Sequence, residues 1–300
     1  MSAHTQTRFG AEIYGRRLER AAALARGAHL DALLITPGPD FQYLLGSTAQ
    51  SFERLTCLVI PASGQTASVV VPKLEVAALA DSAVADLGVA PVPWVDGVDP
   101  YGLVKSTLNA GARVAVDDHM PALHLLPIAD ALTALPVSAT PILRELRMIK
   151  DDAEIEALRR AGAAIDRVHA RMGEWLRPGR TEAEVAADIT DALAEEGHDR
   201  AEFVIVGSGP HGAIPHHEHS ERVIESGDVV VIDIGGPVGP GYFSDCTRTY
   251  VLGQPDPEIA ERIAVLEAAQ AASVAAVRPG VSAESVDAAA RNLLSEAGFG

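Results

Sequence analysis

Apolar residues along this chain change their period several times, and each change marks an element. Helical spacing over residues 11–26 gives way to a largely apolar run over 32–36, which predicts a helix followed by a buried strand. Two further runs, 55–60 and 66–71, predict strands separated by the turn Ala62-Ser63-Gly64. A helix is predicted to begin near Lys73, after Pro72, and residues 113–116 form another apolar strand. Pro91, Pro93, Gly97 and Pro100 predict an irregular loop around Trp94, which is itself a packing residue rather than a platform for substrate. This alternation of helices with short strands predicts an α/β domain on a mixed sheet over residues 1–142.

A second domain is predicted over residues 143–300. Its first helix, 151–172, places Ile155, Leu158, Ile165, Val168 and Met172 on one face, with Asp151 and Asp152 favouring its start. Arg177-Pro178-Gly179 stops it, and Thr181 caps the next helix, over 181–196. The stop then recurs as Arg278-Pro279-Gly280. The same offset carries Leu158 to Ile259, Ile165 to Leu266, Thr181 to Ser282, Val185 to Val286, Leu193 to Leu294 and Gly197 to Gly298. Two helices and their joining turn have been duplicated. Strands follow the first copy as far as Leu252, whereas the second copy reaches Gly300 before a strand begins. The second domain therefore reads as half built.

Between the copies, two aspartates sit in strand-like runs. Asp233 interrupts the apolar run 228–236, and Asp245 lies in the run 244–251, beyond a turn containing Pro237, Gly239, Pro240 and Gly241. In a hairpin centred on Gly239 the two would oppose each other on one face, with Cβ atoms roughly 5 Å apart. Carboxylates so placed repel unless cations compensate them. Two divalent ions about 4 Å apart would do so, and so would salt bridges to Arg248 or Arg222. Spacing leaves both readings open.

Composition narrows the classes. The chain has 300 residues, 48% of them hydrophobic, and a formal net charge of −17, which argues against a nucleic-acid-binding surface. There is no apolar signal segment at the N-terminus, no stretch approaches a membrane span, and no membrane association is expected. Cys57 and Cys246 are too few for a disulfide framework and read as reduced thiols, in keeping with the cytoplasm. Alternation turns Cys246 away from the face of Asp245.

Two other patterns suggest chemistry. Gly207-Ser208-Gly209-Pro210-His211-Gly212 matches the dinucleotide fingerprint, but Pro210 and Pro215 interrupt the helix that a pyrophosphate would need. His211, His216, His217 and His219 form a cluster without the spacing of a zinc helix. His216, set after Pro215 just before the aspartate hairpin, is the candidate for proton or hydrogen-bond chemistry, and His217 and His219 read as surface residues.

Three segments carry a resemblance to a known family: residues 207–217 (ending Pro215-His216-His217), 227–233 and 244–249. Together they resemble the pita-bread metallopeptidases, most of all the prolidase and Xaa-Pro aminopeptidase branch. The junction Leu146-Arg147-Met148-Ile149-Lys150 is similar to the start of that catalytic domain, and Tyr43-Leu44-Leu45-Gly46 and Val70-Val71-Pro72 to a creatinase-type N-terminal domain. The resemblance implies a creatinase-type α/β domain followed by an α+β pita-bread catalytic domain, present here as its first half and the helices of its second. It further implies hydrolysis of the bond preceding proline by a hydroxide held between two divalent ions, Mn foremost, with Co and Zn as alternatives. Asp233 and Asp245 match metal ligands, His216 the histidine that contacts substrate, and Thr247 a donor to the ligands. A proline-containing peptide is the implied partner, and a homodimer the implied assembly. The family's aspartates stand one residue closer than these, which places an insertion in the turn or a bulge. Its remaining ligands, a histidine and two glutamates, fall beyond Gly300, so the 300-residue form is expected to lack peptidase activity. A creatinase-like amidinohydrolase and a non-catalytic binding protein are the alternatives.

Overall fold

The computed structural model describes residues 8–50 and 53–299. The chain divides into two compact units, one of residues up to Ala161 together with Pro237–Phe243, the other of Gly162–Gly236 together with the residues from Ser244 onward.

The first unit is built on a six-stranded sheet. In chain order its elements are α1 (Ala11–Gly27), β1 (Ala32–Ile35), α2 (Pro39–Leu45), β2 (Cys57–Pro61), β3 (Ser68–Pro72), β4 (Ala90–Trp94), α3 (Pro100–Ser106), β5 (Val114–Val116), α4 (Ala122–Leu132), β6 (Val137–Ser138) and α5 (Thr140–Met148). The strand order is β4-β3-β2-β1-β5-β6. The pairs β1–β2 and β2–β3 are antiparallel and the other three parallel, so the sheet is mixed. Its central strands are apolar without alternation because both faces are covered. Leu33 and Ile35 pack with α1, α2 and α5, while Ala32 and Leu34 pack on the other face with Val104 of α3 and Ile128 of α4.

The helix expected after Pro72 is a 3-10 helix, Lys73–Leu79. One local expectation of this unit changes. The proline-rich segment before Trp94 is a regular strand, β4, not an irregular loop. It is an edge strand, and Pro91 and Pro93 stand at alternate positions, so both nitrogens that lack a proton face the same, unpaired side. Trp94 is buried, with its indole N–H donating to the Leu55 carbonyl at 3.0 Å.

The second unit begins within α6 (Asp152–Ala170) and continues through α7 (Met172–Trp175), α8 (Glu182–Glu195), β7 (Phe203–Ser208), β8 (Val229–Val238), β9 (Tyr242–Val251), α9 (Pro257–Ala276) and α10 (Ala283–Glu296). The predicted helix over 151–172 thus breaks at Arg171 and resumes as a short turn. Strands β7, β8 and β9 form a three-stranded sheet in that order. One face is covered by α6 and α8, through Ile165, Val168, Val185, Ile189 and Leu193. Helices α9 and α10 repeat the α6–α8 pair, down to the N-cap: Thr181 and Ser282 each accept a backbone N–H with the side-chain hydroxyl. Among the described residues no helix is long and apolar enough to cross a membrane.

A buried ion pair fastens the start of α6 to the first unit's own core. Arg17 is 6% exposed and Glu154 3%. The guanidinium donates to Tyr43 O at 2.8 Å and to the Tyr242 hydroxyl at 3.1 Å, and that hydroxyl donates to Glu154 Oε1 at 2.7 Å. Glu154 also caps its own helix, since its Oε2 accepts from Asp151 N while Asp151 Oδ1 accepts from Glu154 N. Glu154→Ala leaves a buried guanidinium unpaired and is expected to cost about 3–5 kcal/mol in urea unfolding. Glu156→Ala, on the exposed side of the same helix, should change stability by less than about 0.5 kcal/mol.

Candidate metal centre and active site

The site follows from alternation along β8. Val230, Ile232 and Ile234 are fully buried beneath α6 and α8, so Val231 and Asp233 point to the other face. Strand β7 runs antiparallel to β8, with Ile205 paired to Asp233 and Phe203 to Gly235. Gly235 has to lack a side chain: a Cβ there would lie 2.5 Å from Ser244 O and 2.7 Å from the Phe203 ring.

Asp233 and Asp245 line one cavity of about 640 Å³, together with Phe203, Val204, Ile205 and the loop His216–His219. The hairpin turn is centred between Gly239 and Pro240, where Gly241 N–H donates to Val238 O at 3.0 Å. An unbroken ladder from that turn would set Asp233 against Cys246 and turn Asp245 away. Instead both aspartates share the cavity, and the Thr247 hydroxyl donates to Asp233 Oδ1 at 2.7 Å. A one-residue slip, of the kind a bulge makes, therefore lies between the turn and the aspartates. Cys246 packs on the opposite, helix-covered side of the sheet.

Neither arginine weighed as a salt-bridge partner reaches these aspartates. Arg222 pairs with Asp228 at 2.6 Å, and Arg248 donates to Thr247 O. Among the described residues no Lys, Arg or His forms an ion pair with Asp233 or Asp245. Two carboxylates in one cavity, lacking a protein cation and with one oxygen oriented by a hydroxyl, fit hard divalent ions.

His216 is exposed and lines this cavity, with its backbone at φ 55°, in the left-handed region. His219 is also exposed and bonds Val204 O at 3.3 Å. His217 departs from expectation. Only 11% of its side chain is exposed, and its Nε2 lies 2.9 Å from Glu182 Oε2. Sequence reasoning missed Glu182 altogether. It is the first residue of α8 and is fully buried, with His211 Nδ1 3.0 Å from its Oε1. Ser208 donates to it through N–H and hydroxyl at 2.8 and 2.7 Å, and Ser220 through the same two groups at 3.1 and 2.7 Å. The chain sequence shows only an acidic residue in a helix's first turn, where the dipole already favours one. Its partners lie 26 to 38 residues further on. The segment after β7 is a 3-10 turn, Gly209–Ala213, and it aims His211 at this carboxylate.

Comparison with known proteins decides the family. The model of metallopeptidase family M24 matches residues 156–300, and that of the creatinase/prolidase N-terminal domain matches residues 17–149. A probable dipeptidase, PepE, of Mycobacterium tuberculosis is 61% identical over 293 residues, covering 97% of this chain and 78% of that protein. The chain belongs to metallopeptidase family M24. Its structural relatives agree. The crystal structure of dipeptidase PepE from Mycobacterium ulcerans superposes with a TM-score of 0.93 at 59% identity, over 97% of this chain and 78% of that one. A prolidase from Thermococcus sibiricus gives 0.86 at 34% identity, over 96% and 78%. The chain is thus a creatinase-type N-terminal domain joined to an M24 catalytic domain of pita-bread fold, and a hydrolase of the metallopeptidase class. Divalent metal ions are the cofactors that M24 membership implies.

The Glu182 contacts set a pH dependence in this M24 protein. Burial pushes the carboxyl up, but the donors from His217, Ser208 and Ser220 outweigh it and hold the group well below the ordinary carboxylate range. A group depressed in the folded state contributes stability that is complete above its unfolded value, about 4.3, and is lost as pH falls through its folded value. Urea midpoints should therefore decline below about pH 5. The decline should be shallower in Glu182→Gln, whose side chain does not ionise.

Proposed function

We propose that this M24 peptidase hydrolyses the peptide bond preceding proline in Xaa-Pro dipeptides or short peptides. Among its relatives is a protein named Xaa-Pro dipeptidase, from Pyrococcus horikoshii, 28% identical over 291 residues, covering 96% of this chain and 79% of that protein. The observation that carries the reading is the pair Asp233 and Asp245, which share a cavity and have no cationic partner among the described residues. Two divalent ions, with Mn the first choice and Co or Zn as substitutes, would when bound supply an activated water and a Lewis acid for the scissile carbonyl. Asp233 and Asp245 hold the ions. Thr247 keeps one oxygen of Asp233 engaged, so that the carboxylate stays turned to its task. His216 donates to a substrate oxygen or carries a proton at the same cavity. Ile205, directly across from Asp233, and Phe203 give an apolar wall against which a pyrrolidine ring can pack.

In a Mn titration followed by electron paramagnetic resonance, Asp233→Asn should abolish specific binding. Thr247→Val should weaken it about tenfold, as loss of a group that orients a ligand does. A substrate panel tests the reaction: release of free proline from Xaa-Pro dipeptides, with Xaa-Ala peptides untouched, supports it. Cleavage of creatine instead would place the protein with the amidinohydrolases of this fold.

A further inference from the structure

Glu182 has more partners than a helix terminus requires. Six donor groups from Ser208, His211, His217 and Ser220 converge on two oxygens that offer about four lone-pair sites. The carboxylate is fully buried and stands at the N-terminus of α8, where the helix dipole favours its charge. Its nitrogen partners and oxygens lie within 4.8 Å of one another, a spacing that would also suit a metal ion. An ion there would have to displace serine donors that already saturate both oxygens. Hydrogen bonding, not metal binding, is what this geometry serves.

The consequence runs through the loop. An ionised carboxylate accepts and does not donate, so His211 carries its proton on Nδ1 and His217 on Nε2. His216, immediately before His217, holds φ 55°, a conformation that a residue with a side chain keeps only when its surroundings impose it. The clamp on His217 from one side and Pro215 on the other supply that constraint. We propose that Glu182 is a positioning residue for the M24 site: by gripping His211, His217 and Ser220 it fixes two imidazole tautomers and holds His216 against the cavity of Asp233 and Asp245. The link to catalysis rests on the role proposed above for His216, while the clamp itself does not.

Ring-nitrogen NMR of the 300-residue chain, labelled with nitrogen-15 in histidine, tests it directly. The wild type should show His211 as the Nδ1–H and His217 as the Nε2–H tautomer, with both ring protons slow to exchange. In Glu182→Gln both rings should become tautomer mixtures. The amides of residues 216–219 should then exchange at least about tenfold faster, as loss of charge-assisted bonds demands, while the amides of α8 keep their protection. Three results would overturn the proposal. They are a wild-type His217 protonated on Nδ1, a Glu182→Gln variant with unchanged tautomers and loop protection, and stoichiometric zinc binding that shifts the His211 and His217 nitrogens. Should Glu182→Gln fail to fold, the wild-type tautomers and the zinc titration still decide. Because none of these readouts involves hydrolysis, a clamp that is present in a chain inert toward Xaa-Pro peptides would support this inference and count against the proposed reaction alone.

Discussion

A strand with one face packed under helices has no freedom in what it shows on the other, and β8 is such a strand. Val230, Ile232 and Ile234 are fixed inward by Ile165, Val168, Val185 and Ile189, and this alone turns Asp233 outward. A slip of one residue would exchange every side chain between the two faces, placing a carboxylate in the apolar core and isoleucines in the cavity. Desolvating that carboxylate without a partner would cost several kcal/mol, so hydrophobic burial on one side sets the chemistry on the other. The same rule does not extend unbroken into β9. There the slip after the Gly239-Pro240 turn brings Asp245 and Thr247 back to the face of Asp233.

The residues that flank Asp245 are held from outside the strand. His198, buried beyond the end of α8, lies with Nε2 2.8 Å from the Ser244 hydroxyl, and His169 of α6 lies with Nε2 3.1 Å from Cys246 O. Burial pushes both imidazoles down from their ordinary range, so they stay neutral in these contacts near pH 7. Helices that supply the apolar cover thus also supply the polar pins, and Glu182 at the head of α8 does the same for the histidine loop. One helical pair therefore supports all three walls of the cavity: strand, hairpin and loop. Its duplicate, α9 and α10, keeps the caps and spacing but buries little, with Ala269 its one fully buried residue among those described.

Much of this was legible in the chain sequence, for identifiable reasons. Largely apolar runs without strict alternation give away strands covered on both faces, which is why β1 to β3 and β5 were found to within two residues. Capping residues mark helix starts, and Thr181 with Glu184 forms the reciprocal cap that its spacing suggests. The aspartates stood out because an acid in an apolar strand is expensive. What could not be read was anything depending on a partner distant in sequence. Glu182 looks like an ordinary first-turn acid, and His217 like a loop residue, until folding closes the 35 residues between them. Pro91 and Pro93 argue against a strand only if the strand's position in the sheet is unknown, for at an edge they are harmless. The turn centre was misjudged by half a residue, and that half residue decides whether a bulge is needed.

The account stands on Asp233 and Asp245 acting together on cations, and diffraction from crystals soaked in Mn, recorded for anomalous scattering, tests it most directly. A peak within coordination distance of oxygens from both aspartates, and absent in Asp245→Asn crystals, is the predicted result. Full Mn occupancy at Glu182, His211 and His217 with no peak near the two aspartates, or one unaffected by Asp245→Asn, would contradict it.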